Sequence, residues 1–127
     1  MKKLAALASV GLAAVLLTGC SEQTSALAAC AQVATQTARV TGVVDAASSP
    51  TVETAQAAFD EISTIVDDIR AIEGPAEFVT LRDSWTTSID AFLAASKSAV
   101  AGEAADVTTA TTAMQNATDA VITYCTP

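Results

Sequence analysis

The feature that most constrains this chain is a recurring three-four spacing of apolar residues, cut by proline and glycine into segments of similar length. Between Ser49-Pro50 and Gly74-Pro75, the residues Val52, Ala55, Phe59, Ile62, Val66 and Ile69 step by three or four. That spacing puts them on one side of a helix with 3.6 residues per turn. Ile65 and Ile72 widen the stripe, while Glu53, Asp60, Glu61, Asp67 and Asp68 fall opposite. Ser49 is the expected N-cap and Pro50 the expected first helical residue, with Glu53 near the positive end of the helix dipole. Gly74 is expected to supply a left-handed cap, and Pro75 forbids continuation.

Three further segments follow the same rule. Over residues 25–45, Leu27, Cys30, Val33, Thr37, Val40 and Val44 line one face, although their β-branching lowers helix propensity. After Pro75, Phe78, Leu81, Trp85, Ile89, Phe92 and Ser96 form a stripe flanked by Leu93 and Val100, until Gly102 interrupts it. Over residues 103–124, the stripe is Val107, Ala110, Met114, Ala117, Val121 and Tyr124, with Ile122 and Cys125 alongside. Glu103 and Asp106 are expected in the first turn of this last helix, where acids are stabilising. The chain therefore reads as all-α. Short joints force antiparallel neighbours, which predicts an up-down-up-down four-helix bundle over residues 26–127 as a single domain. The competing arrangement has three helices with 76–124 continuous, and Gly102 is the residue that separates the two.

The first twenty residues are of a different kind. Lys2 and Lys3 precede an uncharged apolar run from Leu4 to Leu17, long enough for a signal-peptide core and short for a transmembrane helix. The run ends in Leu17-Thr18-Gly19-Cys20. This resembles the lipobox of bacterial lipoproteins, an aliphatic residue and two small ones before a cysteine. The resemblance implies that residues 1–19 are a cleaved signal peptide. It also implies that Cys20 carries a diacylglyceryl thioether, with the palmitate-type acylation of that class, and becomes the new N-terminus. Residues 20–25 would be a short lipidated tether, holding the domain close to a bacterial cell membrane or outer membrane. Two acyl chains exceed the marginal binding of one, so such an anchor is stable.

Cys30 and Cys125 remain. In an exported chain an even pair is most simply one disulfide, here closing residues 30–125 and worth roughly 4–5 kcal/mol in the chain-entropy account. Two free thiols or a redox site are the other readings, and the absence of a Cys-x-x-Cys arrangement speaks against the latter. Within the bundle the bridge is consistent, since the start of the first helix and the end of the fourth share one end.

Composition closes off much chemistry. Six basic and 14 acidic residues give a formal charge of −8, and loss of Lys2 and Lys3 makes it two units more negative. That surface repels nucleic acid and anionic lipid, so attachment falls to the acyl group. There is no histidine, hence no His-based catalysis or His metal site. The acids of the second helix splay outward from a straight element and do not converge as calcium or magnesium requires. Ser96, Lys97 and Ser98 are sequence neighbours and do not face one another on a helix. No catalytic residue, metal site or cofactor is expected, and the chain reads as a non-enzyme. Trp85 is expected in the core, or else at a pocket or partner surface, with Arg82 one turn earlier able to stack on it. Hydrophobic residues are 51% of the chain and aromatics only 4%, so the core is built from small side chains and is expected to be narrow. The preferred expectation is a lipid-anchored envelope module that binds another envelope component. The alternatives are a binder of a small apolar molecule or metal, which an apolar cavity near Trp85 would favour, and an inhibitor of an exported enzyme.

Overall fold

A computed structural model describes residues 24–43, 45 and 51–127. Four helices account for it, and there is no strand among the described residues. The first, α1, covers residues 24–43. It is followed by α2 (Val52–Arg70), α3 (Ala76–Val100) and α4 (Val107–Cys125). The chain is all-α.

The helix ends differ from expectation in instructive ways. Helix α2 is capped by Thr51, not by Ser49, which with Pro50 lies outside the described residues. The Thr51 hydroxyl accepts from the Thr54 N–H at 3.2 Å, and the Thr51 N–H donates to Thr54 Oγ1 at 2.8 Å. This reciprocal pair satisfies two donors that a helix start otherwise leaves bare. The same helix stops at Arg70, four residues before Gly74, with Ala71 as its C-cap. Gly74 does not adopt the left-handed conformation expected of it; among the described residues only Gly102 does, at φ 81°. What Gly74 supplies is space. A Cβ there would lie 2.6 Å from Phe78 Cδ1 and 3.3 Å from the Ala29 methyl.

The left-handed cap belongs instead to α3. The Gly102 N–H donates to Ala99 O at 3.1 Å and the Glu103 N–H to Ser98 O at 2.9 Å. That pair of bonds is the Schellman closure, which needs a positive φ at its glycine. Residues 76–124 are therefore two helices, as expected. Helix α4 begins later than expected, because Asp106 is its N-cap and Glu103 precedes it. The Asp106 carboxylate accepts from the Thr109 N–H at 2.9 Å and from the Thr109 hydroxyl at 2.6 Å. No acid lies in the first turn itself.

Helix α3 packs against both α2 and α4. Specific ties join the elements. Arg39 of α1 reaches Glu61 at 3.2 Å and Asp68 at 2.6 Å on α2, and Arg70 of α2 pairs with Asp90 of α3. The Sγ atoms of Cys30 and Cys125 are at bonding distance, 2.05 Å, which fastens α1 to the last turn of α4.

The core is Ala29, Val33, Ile62, Ile65, Val66, Ile69, Ile72, Phe78, Trp85, Ile89, Leu93 and Val121. Ala29 and Val121 bring it close to the cysteine pair. There Phe78 is fully buried between Gly74 and Ala29, and its ring centroid lies 6.0 Å from that of Tyr124. Towards the other end the stripes lose their cover. Val52 is 61% exposed, and no residue of 52–61 is buried. On α1 the expected stripe is covered at Val33 and half-buried at Cys30, Thr37 and Val40, but Leu27 is 65% exposed and Ala29, two residues on, is fully covered in its place.

Candidate functional site

Where the helices are less tightly filled, a cavity of about 660 Å³ opens. All four helices contribute to it. Thr37, Val40 and Thr41 come from α1, Ile62 from α2, and Trp85, Ile89 and Phe92 from α3. Helix α4 adds Thr111, Met114, Gln115, Thr118 and Asp119. The volume falls within the range of small-molecule sites, about 300–1,000 Å³. A core expected to be narrow thus leaves a sizeable, partly open space, beside which α4 buries only Val121 completely and sets Thr111 and Thr118 alongside Met114.

Trp85 is the residue around which this wall is organised. It is only 3% exposed, so it is a core residue and a cavity residue at once. Its indole Nε1 donates to Thr118 Oγ1 at 3.0 Å, which satisfies the one polar atom of the side chain and ties α3 to α4. Thr118 in turn donates to Met114 O at 2.7 Å. The other threonines of the wall behave likewise. Thr37 donates to Val33 O at 2.9 Å, Thr41 to Thr37 O at 3.0 Å, and Thr111 to Val107 O at 2.7 Å. Back-bonding of this kind spends the hydroxyl proton inside the helix. It leaves a methyl group and oxygen lone pairs as what each threonine can offer.

Arg82 does not join Trp85 in this wall. Its Nη1 donates to Ile72 O at 2.7 Å, and Nε and Nη2 donate to Asp83 Oδ1 at 3.0 and 2.8 Å. The guanidinium therefore closes the chain just beyond α2, a structural duty that its spacing from Trp85 does not reveal. Cys30 and Cys125 lie away from the cavity lining, and Cys20 falls outside the described residues.

The acidic face of α2 is partly engaged. Arg39 is held between Asp68 and Glu61, and these hydrogen bonds, the Asp68 one foremost, make its guanidinium even harder to deprotonate than usual. Asp67 pairs with Arg70 at 3.3 Å, the i,i+3 spacing visible in the sequence. Among the described residues no three His, Cys, Asp or Glu side chains converge as a metal site would need, and no helix is long and apolar enough to cross a membrane.

A second, shallower hollow of about 410 Å³ lies between the start of α2 and the end of α3, lined by Val52, Gln56, Phe59, Asp60, Lys97 and Val100 among others. Val100 is 43% exposed, so this surface carries apolar side chains beside one cation and one anion.

The sequence contains no signal for the cavity as such. Its lining is drawn from four segments whose relation only tertiary packing defines; Thr37 at a stripe position of α1 and Trp85 on α3 are its local traces in the sequence. No family model, no curated protein and no solved structure matches this chain.

Proposed function

We propose that this protein is a lipid-anchored component of a bacterial envelope that holds a small, largely apolar molecule between its helices. The observation that carries the binding reading is the 660 Å³ cavity built around Trp85, Phe92, Ile89 and Met114. The anchoring reading rests on Leu17-Thr18-Gly19-Cys20 and the apolar run before it. We also read the four helices as an antiparallel up-down-up-down bundle. That arrangement is supported by the pairs Arg39 with Glu61, Trp85 with Thr118, Phe78 with Tyr124, and Cys30 with Cys125.

Trp85 is the single tryptophan, so its emission reports the cavity directly. Titration with decan-1-ol should shift that emission in a saturable manner. Val40→Phe, which places a ring in the cavity wall, should abolish saturation while the helical circular dichroism is unchanged. A linear response without saturation in the unaltered protein sinks the binding reading. For the anchor, Cys20→Ala should move the protein out of the membrane fraction, and unchanged retention there sinks it.

A second reading, docking of another envelope protein, draws on the hollow at Val52, Val100 and Lys97, where apolar groups stand exposed. Crosslinking from cysteines placed at Val52 and Gln56 separates the two readings: a discrete adduct from the anchored protein, lost when the sites are moved to Ser84, supports docking.

A further inference from the structure

Resting on the cavity reading above, the geometry points to the chemical class of the occupant: we infer that it is an amphiphile with an apolar tail and a cationic, ammonium-type head placed at Asp119.

The argument comes from what the wall can and cannot offer. Its apolar share is Val40, Ile62, Trp85, Ile89, Phe92 and Met114, which suits a tail. Its polar share is almost entirely accepting. The hydroxyl protons of Thr37, Thr41, Thr111 and Thr118 are committed to backbone carbonyls, and the indole N–H is committed to Thr118. What remains is oxygen lone pairs, the Gln115 amide, and the Asp119 carboxylate.

Among the described residues, no lysine or arginine lines the cavity. Arg39, Arg70 and Arg82 are each paired with carboxylates elsewhere, and Lys97 belongs to the other hollow. Asp119, by contrast, has neither a hydrogen bond nor an ion pair among the described residues. A carboxylate or phosphate head would meet no donor with charge, would stand beside an anion, and would enter against the field of a chain of formal charge −8. A neutral alcohol would find these acceptors and the Gln115 amide, but would bring no charge to Asp119. An ammonium group brings three donors and a charge opposite to that of Asp119.

Three probes with the same tail separate these cases: decylammonium, decan-1-ol and decanoate, each below its micelle-forming concentration, at pH 7. The full-length protein is titrated by calorimetry and by Trp85 emission, with Val40→Phe alongside so that uptake elsewhere on the chain is subtracted. Decylammonium should bind roughly fivefold more tightly than decan-1-ol, the scale of one exposed ion pair, and decanoate more weakly than either. Asp119→Asn should bring decylammonium to the level of decan-1-ol and leave decan-1-ol unchanged. The preference should also shrink in 0.5 M salt. Equal affinities for the three probes, tightest binding of decanoate, or no effect of Asp119→Asn on the ammonium preference overturns the inference and leaves the cavity reading standing. Failure of all three probes to saturate overturns both.

Discussion

Trp85 and Thr118 hold α3 and α4 together through one hydrogen bond of 3.0 Å, from a ring that is 3% exposed to a hydroxyl whose own proton goes to Met114 O. The bond does two things at once. It satisfies the only polar atom of the largest side chain, and it fixes the orientation of the indole in the cavity wall. Thr118→Val keeps the shape and removes the acceptor. A buried donor left without a partner costs more than the bond itself contributes, so the variant should lose about 1–2 kcal/mol in urea unfolding, and its Trp85 emission should change in the folded state. A variant as stable as the parent, with unaltered emission, shows that the N–H is satisfied in some other way.

The described glycines respond differently to alanine, and their order is a test of the packing. Gly74→Ala drives a methyl to 2.6 Å from Phe78 Cδ1, and Phe78 is fully buried and cannot withdraw, so a loss of about 1–3 kcal/mol is expected. Gly102→Ala meets no atom within 4 Å but must hold φ 81°, which costs about 1 kcal/mol. Gly42→Ala, helical and with open space around it, should stabilise by roughly 0.5–1 kcal/mol. Thermal melts of the three proteins should rank in that order, and a Gly74→Ala protein more stable than Gly102→Ala contradicts the close packing at Phe78.

Gly74 and Gly102 also show how far the sequence can be read. Both are legible as helix breakers, yet α3 ends against Gly102 whereas α2 already stops at Arg70, four residues before Gly74. Their mechanisms are distinguishable only in three dimensions, because one answers a backbone angle and the other a neighbouring ring. The stripe Ile62, Ile65, Val66, Ile69 was legible from spacing and is buried. Val52 continues the same spacing and is exposed, since periodicity defines a face without saying how far a neighbour covers it. Ala29 is not legible from the sequence, because a methyl group carries little hydrophobic signal, yet it is fully covered beside Gly74 and Phe78. The spacing of Arg82 from Trp85 allows stacking, but the carbonyl of Ile72 and the carboxylate of Asp83 take the guanidinium instead.

The link between Cys30 and Cys125 closes a separation of 95 residues, beside the fully buried Ala29 of α1 and Val121 of α4. Tying such distant points removes conformational freedom from the unfolded chain, by roughly 4–5 kcal/mol in the entropy account. The double variant Cys30→Ser, Cys125→Ser should therefore unfold at markedly lower urea concentration, with a steeper dependence on denaturant because its unfolded state is less compact. Reducing agent should have the same effect on the unaltered protein and none on the variant. Equal midpoints in all four conditions would show that the two cysteines contribute nothing as a link.

Asp106 makes the stability of α4 depend on pH in a definite direction. Two hydrogen bonds from Thr109, the hydroxyl one first and the backbone one second, hold its carboxyl below the ordinary value of 3.8. The folded chain thus releases this proton more readily than the unfolded one. The stabilisation is fully present above the ordinary carboxylate range and is lost as the pH falls through the lower, folded value. Asp106→Asn keeps a capping oxygen and removes the charge. At neutral pH the parent protein should be more stable than the variant, and the gap should close as acid protonates Asp106. Melting both proteins from pH 7 down to pH 2 checks this. A gap that is constant across the range, or that widens in acid, means that the Thr109 bonds do not favour the ionised carboxyl.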